Sequence, residues 1–473
     1  MNKLTLKTAA LALSMTLAGC SFLQPALPGA QAEIPAQFGQ AGSAGEGAAE
    51  QAGASAVADV GWRNFFTDPK LEAIIADALA RNRDLRVAAL NVERTRAAYQ
   101  VQRADRLPSV GVNLSGDRSG GSAAATSNVY SASLGIAAFE LDLFGRVRNL
   151  TDAALQQYLA QGEARRSVQL SLIAEIANIY LTLAADLESQ RVAQATLDTQ
   201  QALFDLIGKR HTAGAVSGLD IEQARTTVES ARADVAYYAG RVATGKNYLN
   251  LLAGRPVPAD RLPERFDLAV SGLQALPAGL PSEVLLRRPD VRQAEHLLRS
   301  ANANIGAARA AFFPSISLTG SIGSASNQLS GLFESGTRVW GFMPSVSLPI
   351  FEGGRLRAQL GVATADRDIA LARYEQSIQA GFRDVADALA LTRTLAARRD
   401  AQQALLQAAE RTHRLSKERY DRGRDSYLVL LDAQRTLYAA QQGLVAAQLA
   451  EQSNRIVLYR VLGGGWNEGR DGA

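Results

Sequence analysis

The sequence predicts a mixed α/β membrane protein with an internal two-fold repeat, built from very long helices and two strand pairs per chain. Three observations carry this. Motifs recur at a nearly constant offset, heptad-spaced seams run along stretches far longer than ordinary helices, and each half holds a pair of alternating segments rich in Ser, Gly and β-branched residues.

The repeat comes first, because it fixes the order of everything else. "RNRDLRVAA" (81–89) aligns with "RRPDVRQAE" (287–295) at an offset of 206, which still holds where Leu107-Pro108-Ser109-Val110 meets Phe313-Pro314-Ser315-Ile316. "FGRVR" (144–148) aligns with "FEGGRLR" (351–357), and from Gly145/Gly354 the offset is 209 through Gly214/Gly423 to Gly254/Gly463. Each copy opens with a helical stretch (about 68–105 and 285–311) that ends before Pro108 or Pro314. "PSVGVNLSG" with "VYSASLGIAAFELDLF", and "PSISLTGSIG" with "VWGFMPSVSLPIF", then read as β-hairpins. A long helix follows (about 146–210 and 355–420), then a Gly-containing turn, then a shorter helix returning to Gly254 or Gly463.

The returning helices carry the clearest period. Ile221, Ala224, Val228, Ala231, Val235, Tyr238, Val242, Gly245, Leu249 and Leu252 step by three and four, as do Leu430, Ala433, Leu437, Ala440, Leu444 and Ala447. That spacing, with many small members, asks for close coiled-coil packing on a neighbouring helix. About 65 residues at 1.5 Å each make a long helix of roughly 100 Å.

The strands pose a problem of closure. Ten tilted residues suffice to cross an outer membrane, but lipid tolerates no open sheet edge and known barrels start at about eight strands. Four strands from one chain therefore require further copies. Two chains give eight strands and a barrel filled by side chains, whereas three give twelve and an open bore.

The N-terminus reads as a processing signal. Lys3 and Lys7 give a positive opening, and Leu4 to Leu17 supply a short apolar run, too short to remain as a spanning helix. Leu17-Ala18-Gly19-Cys20 resembles a bacterial lipobox, which implies lipid attachment at Cys20, the only cysteine of the 473 residues, and leaves no thiol for a disulfide. Residues 24–58, rich in Ala, Gly, Gln and Pro, read as an extended spacer. The expected organisation is a signal peptide (1–19), a lipidated spacer (20–60), a first repeat (61–254, hairpin 108–143, turn 211–218), a linker (255–284), a second repeat (285–463, hairpin 314–351, turn 421–426) and a tail (464–473).

Several chemistries find no support. Basic and acidic residues are interspersed at a net charge of +4, which argues against a nucleic-acid footprint. His211, His296 and His413 have no second ligand at metal spacing, and no nucleophile is paired with a base, so neither a metal site nor catalysis is expected and the covalent lipid is the only non-protein group. In "RRPD", Arg288-Pro289-Asp290 invites a catalytic reading, but a Pro-Asp pair opening a helix is a sufficient structural cause.

The duplicated unit, "LLRRPDV" (285–291), "FFPSISLTG" (312–320), "YLVLLDAQRTLY" (427–438) and "LGGGW" (462–466) together resemble the TolC-like outer membrane factors, most closely the efflux lipoproteins that serve resistance-nodulation-division pumps. The resemblance implies a homotrimer: a twelve-stranded outer-membrane β-barrel continued by a periplasmic α-helical coiled-coil barrel. It also implies a passive exit duct partnered by a periplasmic adaptor (membrane fusion) protein, an inner-membrane transporter and outer membrane lipids.

Leu428, Asp432 and Arg435 share one helix face, and Asp432 is rotated about 200° from the seam at Leu430. Three copies make a ring of carboxylates at the periplasmic gate. Family members close at matching positions, which implies constrictions at Leu428 and Asp432, with Arg435 a turn away to hold the carboxylate. By the same resemblance Asp220 and Tyr420 form a gate latch, although Asp220 near a helix start also suits the helix dipole. The expected adaptor-docking tips carry Arg210, Thr212, Val216 and Ser217 on one turn and Arg419, Gly423 and Arg424 on the other. The competing readings are a non-conducting periplasmic coiled-coil scaffold lipoprotein and the exit duct of a type I secretion system.

Overall fold

Helix, hairpin, long helix and returning helix follow one another twice along the chain. The elements are α1 (Trp62–Phe65), α2 (Pro69–Arg81), α3 (Arg83–Ala104), β1 (Val110–Gly121), β2 (Ala124–Leu141), α4 (Arg146–Thr212), α5 (Gly218–Ala253), α6 (Pro289–Ala310), β3 (Ser315–Ser326), β4 (Arg338–Ser347), α7 (Arg355–Asp421) and α8 (Tyr427–Val461). This computed structural model describes residues 23–35, 38, 61–121, 124–266 and 282–464. The signal peptide, Cys20, most of the spacer, the middle of the linker and nearly all of the tail lie outside the described residues.

Contacts divide the chain into two compact units, each drawing on both sequence halves: 1–32 with 90–163 and 292–377, and 33–89 with 164–291 and 378–473. The first contains all four strands. They form one antiparallel sheet in the order β1-β2-β3-β4, so β1 and β4 are its edges. Between Ile136 and Phe139 the β2–β3 register shifts, and Ala138 takes φ 49°, its N–H donating to Thr319 Oγ1 at 3.2 Å. This bulge keeps Ile136 and Phe139 on one face across the extra residue. At the base of β2, Asp142 accepts the N–H groups of Val147 and Arg148 at 3.1 and 2.7 Å, capping α4, while Glu140 receives Arg146 in a two-pronged ion pair.

The second unit holds an aromatic core. Trp62, Phe65, Phe66, Leu71, Ile74 and Ile75 pack with Ile173, Ile176 and Tyr180 of α4, Leu249 and Leu252 of α5, and Ile456 and Tyr459 of α8. Phe65 stacks on Tyr459 with centroids 3.8 Å apart. The one described helix with a window of membrane-like hydropathy is α4, and Leu172, Ile173, Ile176, Leu181 and Leu183 of that helix are buried in this core.

The expected helices over 68–105 and 285–311 are both interrupted. At Asn82 the chain leaves α2 with ψ 134°, and the side chain caps α3 by accepting Leu85 N–H at 3.0 Å while donating to the Leu252 carbonyl at 3.0 Å. At the matching place in the second half, a 3₁₀ turn (Ser282–Arg287) gives way to α6 at Pro289, and Arg288 donates to the Val461 carbonyl at 2.9 Å. Asn82 and Arg288 are 206 apart and Leu252 and Val461 are 209 apart, so the two staples are repeat-related although the residue types differ. Each ties the start of one helix to the end of a returning helix, whose last carbonyls have no partner within the helix. Gly463 closes α8 at φ 77°, with Gly463 N–H on Arg460 O and Gly464 N–H on Tyr459 O, the hydrogen bonds of a Schellman stop.

Candidate functional site

Two parts of the molecule carry functional geometry. In the sheet, directly paired residues share a face, so the register sorts side chains without ambiguity. One face carries Val112, Leu134, Ile322 and Trp340 in a row across the four strands, beside Val110, Ile136 and Phe342. The other carries hydroxyls: Ser115 and Ser131 are bonded Oγ to Oγ at 2.7 Å, and Ser317 and Ser345 at 2.9 Å. The apolar face is bare. Val112 is 72% and Trp340 78% exposed, and β1 and β4 are exposed along their whole length. An apolar surface of this extent beside unpaired strand edges marks an interaction surface rather than a finished one.

In the second unit, α4 turns into α5 and α7 into α8 by the same device. Gly214 at φ 73° gives Gly214 N–H to His211 O and Ala215 N–H to Arg210 O; Gly423 at φ 69° gives Gly423 N–H to Tyr420 O and Arg424 N–H to Arg419 O. Glycine is required there because the left-handed region costs other residues about 1–2 kcal/mol. Beneath the turns, Ile207, Ala224, Tyr420, Tyr427, Leu430 and Leu431 form a buried cluster, against which Leu203, Phe204, Val216 and Ile221 pack. All members of both heptad seams are buried or half-buried.

The polar groups at the tips are largely committed within the chain. Ser217 and Asp220 make a reciprocal capping box at the start of α5: Ser217 Oγ accepts Asp220 N–H at 3.3 Å and Asp220 Oδ2 accepts Ser217 N–H at 3.0 Å. Arg210 donates to the Tyr420 hydroxyl at 3.1 Å and lies 5.2 Å from its ring centroid. Arg419 clips Asp425 through two hydrogen bonds of 2.7 and 2.8 Å across the second turn, which raises the guanidinium pKa and holds the Asp425 carboxyl below its usual range. Burial pushes the Tyr427 phenol up, the Thr227 hydroxyl beside it acting in the opposite sense.

On α8, Leu428 is 57% exposed and Asp432 and Arg435 are exposed, while Leu430, Leu431 and Ala433 are buried. The face assignment made from the heptad holds for these residues. Beside them, Thr227, Ser230, Asp234, Gln434, Arg435 and Tyr438 help to line a polar groove of about 130 Å³, where Tyr438 donates to Asp234 at 3.0 Å.

A family model described as "Outer membrane efflux protein" matches residues 74–255 and 280–464. The chain belongs to the outer membrane efflux protein family. It is 45% identical over 460 residues to the antibiotic efflux pump outer membrane protein ArpC of Pseudomonas putida, covering 96% of this chain and 94% of the relative. It is 40% identical to the outer membrane protein OprJ of Pseudomonas aeruginosa, covering 99% and 98%. Among solved structures, the open state of the Neisseria gonorrhoeae MtrE outer membrane channel aligns with a TM-score of 0.86 at 40% identity, over 94% of this chain and 98% of that one.

Within the single chain of this efflux protein, the expected gate residues make the following contacts. Among the described residues no ion pair joins Asp432 to Arg435. Arg435 instead lines the groove together with Thr227 and Ser230. Nor does a hydrogen bond join Asp220 to Tyr420 among the described residues, because Asp220 is spent on its own helix cap and Tyr420 on Arg210. Of the tip residues, Thr212 donates to Gly208 O at 3.0 Å and Val216 is packed into the cluster, while Thr212, Ser217, Arg419 and Arg424 are all exposed. The Arg419–Asp425 clip escaped sequence reading because its partners lie six apart across a turn, outside the helical three- and four-residue spacings; the one available signal was an acidic residue two positions after Gly423.

Proposed function

We propose that this outer membrane efflux protein is the exit duct of a tripartite efflux system, passively conducting small organic solutes out of the cell. The sheet carries the reading. Four strands, one apolar face, one hydroxyl face and two open edges are what one chain contributes to a shared barrel, since neither an edge nor the polar face is tolerated by lipid. Three chains supply twelve strands and a bore wide enough for solutes, with the serine rows inward and Val112, Leu134, Ile322 and Trp340 outward. The helices continue the duct as a periplasmic α-barrel.

In this reading the trimer narrows at Leu428 and Asp432, whose exposure away from the α8 seam leaves them free to face the axis, and Arg435 lies close behind. Asp220 and Tyr420 belong to the tip that moves when the gate opens. A periplasmic adaptor docks on the tips that carry Arg210, Thr212, Val216, Ser217, Arg419, Gly423 and Arg424, and an inner-membrane resistance-nodulation-division transporter feeds it. Cys20 is the lipid anchor. No catalytic step and no cofactor are assigned.

Planar-bilayer recording of the purified protein tests this. Wild type should show small openings that grow on Leu428→Ala or Asp432→Ala, with weakened preference for cations in the latter. Silence from wild type and both variants alike would leave the periplasmic scaffold as the better reading.

A further inference from the structure

The serine face of the sheet ends in charge. Glu140 pairs with Ser317 across β2 and β3, and Ser317 with Ser345 across β3 and β4, so Glu140 lies in a row of bonded hydroxyls rather than on the apolar face. Next to it, where β2 gives way to α4 and β4 to α7, opens a cleft of about 330 Å³. Two arginine–glutamate pairs line it. Arg146 donates to both oxygens of Glu140 at 2.8 and 2.5 Å, and Arg355 gives two N–H groups to Glu352 Oε2 at 2.9 and 2.6 Å. Asp142 also lines the cleft, but both of its oxygens are spent on the α4 cap. Part of the wall is apolar: Leu143 and Phe313 are exposed, and Phe144 stacks on Phe313 with centroids 4.9 Å apart.

The two pairs arise differently in the two halves. Arg146 and Arg355 are 209 apart and repeat-related, whereas Glu140 and Glu352 are 212 apart and are not, yet each half brings one guanidinium and one carboxylate to the same cleft. Each pair is neutral as a whole and part-exposed, the kind of ion pair that opens at little cost. An entering cation or anion would take one partner and strand the other. A zwitterion takes both: its carboxylate replaces the glutamate on the guanidinium and its ammonium replaces the guanidinium on the glutamate, so every charge stays paired. Leu143 and Phe313 offer contact to an apolar body attached to those charges. The volume falls at the lower end of the roughly 300–1,000 Å³ of small-molecule sites.

We propose that this cleft is a transit site for zwitterionic amphiphiles, where a solute bearing an ammonium, a carboxylate and an apolar ring pauses on its way from the helices into the barrel. The inference rests on the reading of the serine face as the inner wall of a conducting duct, which puts the cleft at the foot of the bore. Arg146, Glu140, Arg355 and Glu352 select by charge, and Leu143 and Phe313 hold the ring. A solute of the same size with a single charge passes with a shorter pause.

Saturation-transfer difference NMR of the detergent-solubilised full-length protein at pH 7 tests the site. Tryptophan serves as the zwitterion, with tryptamine and indole-3-propionate as singly charged probes on the same ring. Wild type should bind tryptophan about fivefold more tightly than either, the equivalent of one part-exposed ion pair. In Arg146→Gln/Arg355→Gln only the carboxylates remain, and tryptamine should overtake tryptophan. In Glu140→Gln/Glu352→Gln indole-3-propionate should overtake it instead. Both variants leave Asp142 on the Val147 and Arg148 N–H groups, so α4 keeps its cap, and a merely structural role for the pairs predicts no exchange of preference. Equal binding of the three probes by wild type, an unaltered order in the variants, or no binding at all, as when a second copy covers the cleft, would overturn the proposal. Planar-bilayer recording separates the site from the duct: tryptophan should briefly interrupt the wild-type current, and the interruptions should shorten in Arg146→Gln/Arg355→Gln. Binding with an uninterrupted current would overturn the transit role and leave the duct standing. Binding by a protein that carries no current would overturn the duct, and the transit role with it, and leave the cleft a binding site.

Discussion

Replacing Arg288 by Ala should destabilise the second unit by about 3 kcal/mol, a value at the low end of that for breaking a buried ion pair. Arg288 is 8% exposed and its guanidinium donates to both oxygens of Asp290, at 3.0 and 2.6 Å, to the Val461 carbonyl at 2.9 Å and to Asp384 at 3.4 Å. Burial by itself lowers its pKa, but the Asp290 bond and the charges of Asp290 and Asp384 outweigh this and hold it above the ordinary value. Its removal strands the Asp290 carboxylate and a helix-terminal carbonyl, while Asp384 keeps its bond from Arg383 at 2.6 Å. Since the Asp290 and Asp384 side chains are 43% and 28% exposed, water recovers part of the loss, which places the cost at the lower bound. Unfolding entropy of about 2.1 cal/mol/K per residue makes 3 kcal/mol worth roughly 3 °C if the chain melts as a whole, and about 6 °C if half of it melts as one unit. Differential scanning calorimetry of the detergent-solubilised protein measures this. Arg288→Lys should recover less than half, because one ammonium cannot fork to a carboxylate and also reach Val461. An Arg288→Ala protein melting within 1 °C of wild type, or a lysine variant indistinguishable from it, would refute the assignment of Arg288 as the tie between α6, α7 and α8.

The same cluster fixes a pH response. Burial alone raises the Asp290 pKa, but the bond and charge of Arg288, with the Val291 N–H, pull it below the usual value. Its contribution is thus full above about pH 4, the unfolded carboxyl value, and lost as pH falls through the depressed folded value; acid melts should show this extra loss in wild type and not in Asp290→Asn. Ser217→Ala removes half of a capping box and should cost about 1 kcal/mol, read as faster amide exchange in the first turn of α5. Gly254→Ala should cost about 2 kcal/mol or more: at φ 70° a Cβ would sit 2.8 Å from the Arg81 carbonyl oxygen. A neutral result in a thermal melt would mean that the α2–α5 junction yields.

The sequence alone determined the order of elements, the ends of the long helices to within about two residues, the two glycine-containing turns and the face on which Leu428 and Asp432 lie. Each of these follows from local rules: proline and glycine punctuate, heptad spacing selects a helix face, and alternation selects a strand face. Tertiary structure decided which polar groups meet. Asn82 breaks a helix because a carbonyl 170 residues away needs a donor, and Arg288 serves the corresponding carbonyl 173 residues away. Asp220 goes to its own cap and Tyr420 to Arg210, and Leu23 and Pro25 are bonded to α6 and Gln31 to α7 where composition alone suggested an extended spacer. Periodicity fixes the direction in which a side chain points, but a hydrogen bond also depends on what a distant part of the chain leaves unpaired within about 3 Å of it, and that is known only after folding.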